Sequence, residues 1–190
     1  MDHETIRLRL ATRVRRALSL EGLTPAAVLV LLVRHSDAWP DAWTVLFTQR
    51  TAHLANHAGQ IAFPGGHIDP TDADATQAAL RETEEEVGLP RGRVEVAGLL
   101  DDHCTGTGFR ITPVVGVADA PLTLTLDPHE VAEAFEAPLS FFLDATNHQR
   151  KTLTVQGRDV PVYAMPYENR YIWGATAAIL RNLHEAMTDQ

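Results

Sequence analysis

Three glutamates, Glu82, Glu85 and Glu86, stand at i, i+3 and i+4 between a Gly65-Gly66 turn and a Gly88-Leu89-Pro90 stop. On a helix this spacing gathers them within about 100° of arc, so their carboxylates share one face. Like charges this close repel one another, which makes a bare solvated face a poor use of them. A hard divalent cation cancels the repulsion, because Mg²⁺ or Mn²⁺ takes carboxylate oxygens and keeps waters for substrate phosphates. The segment therefore reads as a metal-loaded phosphoryl-transfer centre, with an ordinary Glu-rich surface helix as the plainer alternative. Thr76, Leu80, Thr83 and Val87 form a second stripe able to pack on a sheet, and Ala75, Ala78 and Ala79 permit close approach. Arg81, four residues before Glu85, can brace that carboxylate, whereas Glu84 points away.

These residues carry a resemblance. Gly66, Arg81, Glu82, Glu85, Glu86, Gly88 and Leu89 stand where the Nudix box, GX5EX7REUXEEXGU with U aliphatic, has its fixed residues. Three places depart from it. Asp72 replaces the first Glu, eight residues separate Asp72 from Arg81 instead of seven, and Thr83 takes an aliphatic slot. The resemblance implies a hydrolase that cleaves a nucleoside diphosphate linked to another group, and the Nudix α/β/α sandwich, a mixed β-sheet between helices.

Immediately upstream, Thr48, Arg50, Gly59, Phe63, Pro64, Gly65 and Gly66 match LLTXR(S/A)X3RX3GX3FPGG, the extra signature of Nudix enzymes acting on coenzyme A. Phe47 and Thr51 are mild changes, and Ala55 stands where the pattern has its second Arg. An arginine there would hold a phosphate with its planar fork, which alanine cannot. Thr105–Gly116 and Ile172–Ala177 are similar to further segments of that subfamily, so the resemblance covers most of the chain. It implies hydrolysis of coenzyme A or acyl-coenzyme A to 3′,5′-ADP and (acyl-)4′-phosphopantetheine. Ala55 keeps open other nucleoside diphosphate derivatives, such as ADP-ribose, a dinucleotide or a (d)NTP. A non-catalytic nucleotide-sensing module is disfavoured because all three glutamates are present.

Composition sets limits. Of 190 residues, 45% are hydrophobic, enough for one well-buried domain, here residues 1–190 with an N-terminal helical part (1–22) and a core from 25 onward. No apolar run is long enough to span a bilayer, and the acidic start Met1-Asp2-His3-Glu4 is unlike a secretory signal. With Cys104 alone no internal disulfide forms, which fits a cytoplasmic location. A net charge of −9 argues against a nucleic-acid partner, the basic cluster being confined to Arg7, Arg9, Arg13, Arg15 and Arg16. The expected partner is a small nucleotide. A homodimer is compatible with the resemblance.

Residues 3–19 read as an amphipathic helix striped by Ile6, Leu10, Val14 and Leu18. The continuous apolar run over 26–34 reads as a central strand buried on both faces. Further strands are expected over 44–50, 94–100 and 110–117, with a hairpin of 152–156 and 160–164. Helices are expected over 127–135, 138–143 and 172–187.

In this scheme Glu82, Glu85 and Glu86 hold the ions, and a carbonyl at Gly66 completes the shell, as the resemblance implies. Glycines at 65 and 66 let the backbone approach closely. Arg81 braces the acids. Glu130 is the candidate for a further acid from a distant loop, the alternative being a glutamate placed to suit a helix dipole. Arg50, His53, His57 and Gln60 are candidates to touch substrate phosphates. Phe63 belongs to the same stretch, with packing as its other reading. Phe109 and Trp173 are read first as packing residues.

Overall fold

The computed structural model describes residues 2–36, 42–52, 59–155 and 157–188. At its centre runs β1 (Thr24–Arg34), paired in parallel along its whole length with β7 (Phe109–Asp119). Its other edge takes β2 (Trp43–Arg50) antiparallel near one end and β4 (Gly65–His67) antiparallel near the other. β3 (Ile61–Ala62) and β8 (Val131–Pro138) flank β2, while β5 (Glu95–Leu99) and β6 (His103–Cys104) lie along β7. The result is a mixed eight-stranded sheet. Burial on both faces explains the unbroken apolar run of β1, since helices cover each side.

One face packs Ala27, Leu29, Leu31, Val33, Leu46 and Val114 against α2 (Ala75–Val87). Ala78 and Ala79 are fully buried and let that helix lie close. Asp74 caps its start by accepting from the Gln77 amide at 2.9 Å, and Gly88 ends it in the left-handed conformation at φ 69°. The opposite face packs Val30, Leu32, Phe47 and Val115 against α1 (His3–Thr12), α3 (Leu139–Leu143) and α4 (Ala175–Thr188). That core also takes in Met165 and Ile172 from a separate three-stranded sheet. The small sheet is made of β9 (Gln149–Val155), β10 (Arg158–Tyr167) and β11 (Arg170–Trp173). The molecule is an α/β/α sandwich.

Three expectations are corrected. The first helix ends at Thr12, and residues 14–20 are neither helix nor strand. Asp101 and Asp102 draw this segment away: the Arg16 amide donates to Asp101 at 2.9 Å and the Leu18 amide to Asp102 at 2.8 Å. Such long-range bonds outweigh helix propensity, and Val14, expected on the apolar stripe, is 92% exposed. Residues 127–135 are not a helix; a turn over 128–130 leads into β8, whose pairing with β2 decides its conformation. The closing helix begins at Ala175, because Ile172 and Trp173 pair in β11 and Gly174 turns the chain at φ 66°.

Candidate active site

The sheet splays between β1 and β2, and β3 and β4 fill the opening, which brings Gly65 and Gly66 under α2. A side chain at Gly65 would run into backbone, and one at Gly66 would displace the Glu82 carboxylate. A Cβ on Gly66 would lie 2.4 Å from Glu82 Oε2, and one on Gly65 would lie 2.3 Å from the Ala27 carbonyl oxygen. Gly65 also holds φ +150°. The Phe63-Pro64-Gly65-Gly66 sequence therefore lets the main chain pass directly beneath the acidic helix.

The three glutamates are graded in exposure. Glu86 is 4% exposed, its Oε2 accepting from the Gly65 amide at 3.3 Å and its Oε1 lying 3.9 Å from Arg50 Nη1. Burial pushes its carboxyl up to about 8; the Gly65 amide and Arg50 oppose this, while Glu130 and Glu82 add to it. Glu82 is half-buried, and burial raises its carboxyl too, with Arg81 opposing and Glu85 and Glu130 adding. Glu85 is open to solvent, with its side chain 59% exposed.

Arg81 sits among the acids. Its Nη1 donates to Glu82 Oε1 at 2.8 Å and to Glu85 Oε2 at 3.0 Å. Its Nε and Nη2 grip Asp72 at 3.1 and 2.9 Å, and Nη2 reaches the His67 carbonyl at 3.1 Å. The Asp72 carboxylate is the strongest of the groups that keep this guanidinium charged. Among the described residues no three acidic, histidine or cysteine side chains are already gathered as an ion cage. Arg81 draws Glu82 and Glu85 toward itself. The chemistry of the donors still fits Mg²⁺ or Mn²⁺: they are all hard oxygens, and Glu86 is a buried carboxylate short of positive charge.

Glu130 lies near enough to the acidic helix for its charge to reach two of the glutamates, Glu82 and Glu86. It lies in the 128–130 turn, which is pinned from two sides. The Thr51 amide donates to the Glu130 carbonyl at 3.0 Å, and the Asp127 amide donates to the Glu86 carbonyl at 2.9 Å. The helix-dipole reading of Glu130 falls with the expected helix.

A family model described as the NUDIX domain matches residues 23–155. The chain belongs to the Nudix family. A protein of Escherichia coli (strain K12) described as the uncharacterized Nudix hydrolase NudL is 42% identical over 158 residues, covering 83% of this chain and 80% of that one. Among solved structures, the Nudix hydrolase RenU from M. smegmatis is 26% identical with a TM-score of 0.52, over 64% of this chain and 74% of that one. The Nudix hydrolase of Alicyclobacillus acidocaldarius shares the fold at a TM-score of 0.53 and 18% identity, over 87% of this chain and 92% of that one.

The departures from the Nudix pattern have structural accounts. Asp72 clasps Arg81 despite the longer spacer, because the turn from Asp69 carries it back: the Asp69 amide donates to Asp72 Oδ2 at 2.9 Å. Thr83 fits an aliphatic slot by donating its hydroxyl to the Ala79 carbonyl at 2.7 Å while 1% exposed.

The other residues singled out by sequence are distributed as follows. Arg50 reaches the site, and the Gln60 carbonyl accepts from the Arg50 amide at 2.9 Å. His53 and His57 lie outside the described residues. Phe63, placed by sequence in the substrate-binding stretch with packing as its other reading, is packed in the core, 3% exposed and stacked on Phe47 at 5.3 Å. Phe109 is half-buried with its ring edge-on to His67 at 5.4 Å, and Trp173 is half-buried in β11. Sequence reasoning missed the clasp of Asp72 on Arg81, though an acid at the family's glutamate position was its signal. It also missed Thr51, which ties the Glu130 turn to β2 and carries no signal in the sequence.

Proposed function

We propose that this Nudix protein is a metal-dependent diphosphatase that splits coenzyme A or acyl-coenzyme A into 3′,5′-ADP and 4′-phosphopantetheine or its acyl form. The observation that carries this reading is the approach of Arg50 to Glu86, at 3.9 Å. It joins the upstream segment resembling the coenzyme A signature to the acidic box.

In this reading Glu82, Glu85, Glu86, Glu130 and the Gly66 carbonyl would hold Mg²⁺ or Mn²⁺. The bound ions supply charge neutralisation at the diphosphate and acidity to the attacking water. The chain's own residues do the positioning. Arg50 offers its guanidinium to a phosphate oxygen and keeps the substrate beside Glu86. Glu82 and Glu85, now hydrogen-bonded to Arg81, would belong to the ion-binding set, and Arg81, anchored by Asp72, limits the repulsion between them. In-line displacement at phosphorus leaves the protein little covalent work, so this placement accounts for most of the rate.

A second reading, hydrolysis of another nucleoside diphosphate derivative, rests on Ala55, which removes one phosphate-binding arginine of the signature. One experiment separates the two. Purified protein is incubated with Mg²⁺ or Mn²⁺ and an equimolar panel of coenzyme A, acyl-coenzyme A, ADP-ribose, dinucleotides and NTPs, and mass spectrometry follows each. Preferential loss of coenzyme A or its acyl form is expected. Loss of ADP-ribose with coenzyme A intact would overturn the substrate and keep the reaction class.

A further inference from the structure

On the sheet face opposite Arg50, a second arginine closes a bridge between the two sheets. Arg170, at the start of β11, donates Nη1 and Nη2 to the two oxygens of Glu133 on β8, both at 2.6 Å. Its guanidinium lies 4.2 Å above the Phe135 ring, and Nη1 also reaches Gln49 Oε1 on β2 at 3.3 Å. Gln49 in turn donates Nε2 to the Gly59 carbonyl at 3.3 Å.

This bridge stands at a weak point of the sheet. Gln49 pairs with Glu133, but the next pair is Arg50 with Val131, so the β2–β8 register slips between Gln49 and Arg50. A bulge leaves a residue unpaired and re-aims the side chain beside it. Here the skipped residue is Ala132 on β8, and Arg50, paired with Val131 just past the slip, lies 3.9 Å from Glu86. Just beyond the two strands, the Thr51 amide donates to the Glu130 carbonyl. A bulged pair held only by its ladder would let Arg50 and Glu130 shift; a bidentate, ring-stacked arginine across the same two strands fixes them.

We infer that Arg170, acting with Glu133 and Gln49, is a positioning residue that locks the β2–β8 bulge and so sets the aim of Arg50 and Glu130 at the acidic site. The functional half of this inference rests on the diphosphatase reading; the positional half does not. Arg170 touches none of the carboxylates of the box.

The test is a double-mutant cycle on coenzyme A hydrolysis with Mg²⁺, alongside amide hydrogen exchange. Arg170→Ala is expected to lower kcat/KM about tenfold, mainly through KM, whereas the same change made on Arg50→Ala should cost less than about twofold. Arg170→Lys, which keeps the charge and loses the fork, should fall between wild type and Arg170→Ala. Exchange at the Arg50 and Thr51 amides should quicken in Arg170→Ala, with the amides of β1 unchanged. Equal losses in both backgrounds, or unaltered exchange at those two amides, would overturn the inference. If Arg170→Ala does not fold, Arg170→Lys takes its place in the cycle under the same criteria. Should the wild type leave coenzyme A intact, the substrate reading fails, and the exchange measurement alone decides whether Arg170 positions the bulge.

Discussion

Asp72 holds Arg81 by two hydrogen bonds, at 3.1 Å to Nε and 2.9 Å to Nη2. The arginine that steadies the acidic helix is thereby anchored to the turn before it. The Arg81 guanidinium is the main reason the Asp72 carboxyl stays below the ordinary carboxylate range.

That depression sets the sign of a pH effect. The folded protein binds the Asp72 proton less readily than the unfolded chain, so this contribution to stability is complete above the unfolded pKa of about 4. It disappears as the pH falls through the lower folded value. In Asp72→Asn the melting temperature should drop at pH 7, and the gap from wild type should narrow toward pH 3. Thermal melts of both proteins across this range provide the check.

Glu86 and Glu85 should respond differently to the same change. Glu86→Gln removes a buried carboxylate without altering shape, and it is expected to reduce kcat by at least about a hundredfold. The rise in melting temperature caused by Mn²⁺ in the wild type should be lost as well. Glu85 is exposed and already shared with Arg81, so Glu85→Gln should cost less. Equal effects from the two, in paired rate and melting measurements, would contradict the graded site.

The two glycines of the turn are likewise unequal. At Gly66 an added Cβ meets the end of the Glu82 side chain, which can swing aside. Gly66→Ala should therefore fold, with a modest stability cost and a large loss of activity. At Gly65 the Cβ meets the backbone of Ala27 and Val28, and the φ of +150° is itself hostile to alanine. Gly65→Ala should destabilise by about 3 kcal/mol or more, seen in denaturant titration.

Thr83→Val should be nearly silent. It restores the aliphatic residue of the family pattern and gives up one hydrogen bond to the Ala79 carbonyl, a bond worth about 1 kcal/mol. A change in midpoint larger than that would mean the hydroxyl has a further task.

Much of this was legible in the residues themselves. The spacing of Glu82, Glu85 and Glu86, the Gly88 stop and the apolar run of β1 are local patterns, and local patterns survive folding when nothing distant opposes them. The failures came where something did. Residues 13–18 carry helical periodicity, but Asp101 and Asp102 bind their amides and arginines. Val131–Pro138 mixes alanines with alternating residues, a pattern that suits helix or strand equally until β2 supplies a partner. The clasp of Asp72 on Arg81 depends on a turn geometry that spacing alone does not encode. The bridge from Arg170 to Glu133 and Gln49 joins residues as much as 121 positions apart, beyond the reach of any periodicity.

The stretch just after the first helix is held from beneath. Asp102, whose carboxylate has no exposed surface, is bound by Arg15, the Leu18 amide, Thr112 and Arg110. A version of the protein trimmed to begin at residue 20 would therefore lose more than a dangling end. It would remove two of the four groups that bind this carboxylate and the stretch that covers it, and breaking a buried ion pair typically costs about 3–5 kcal/mol. Anyone shortening this protein for study should leave those first eighteen residues in place.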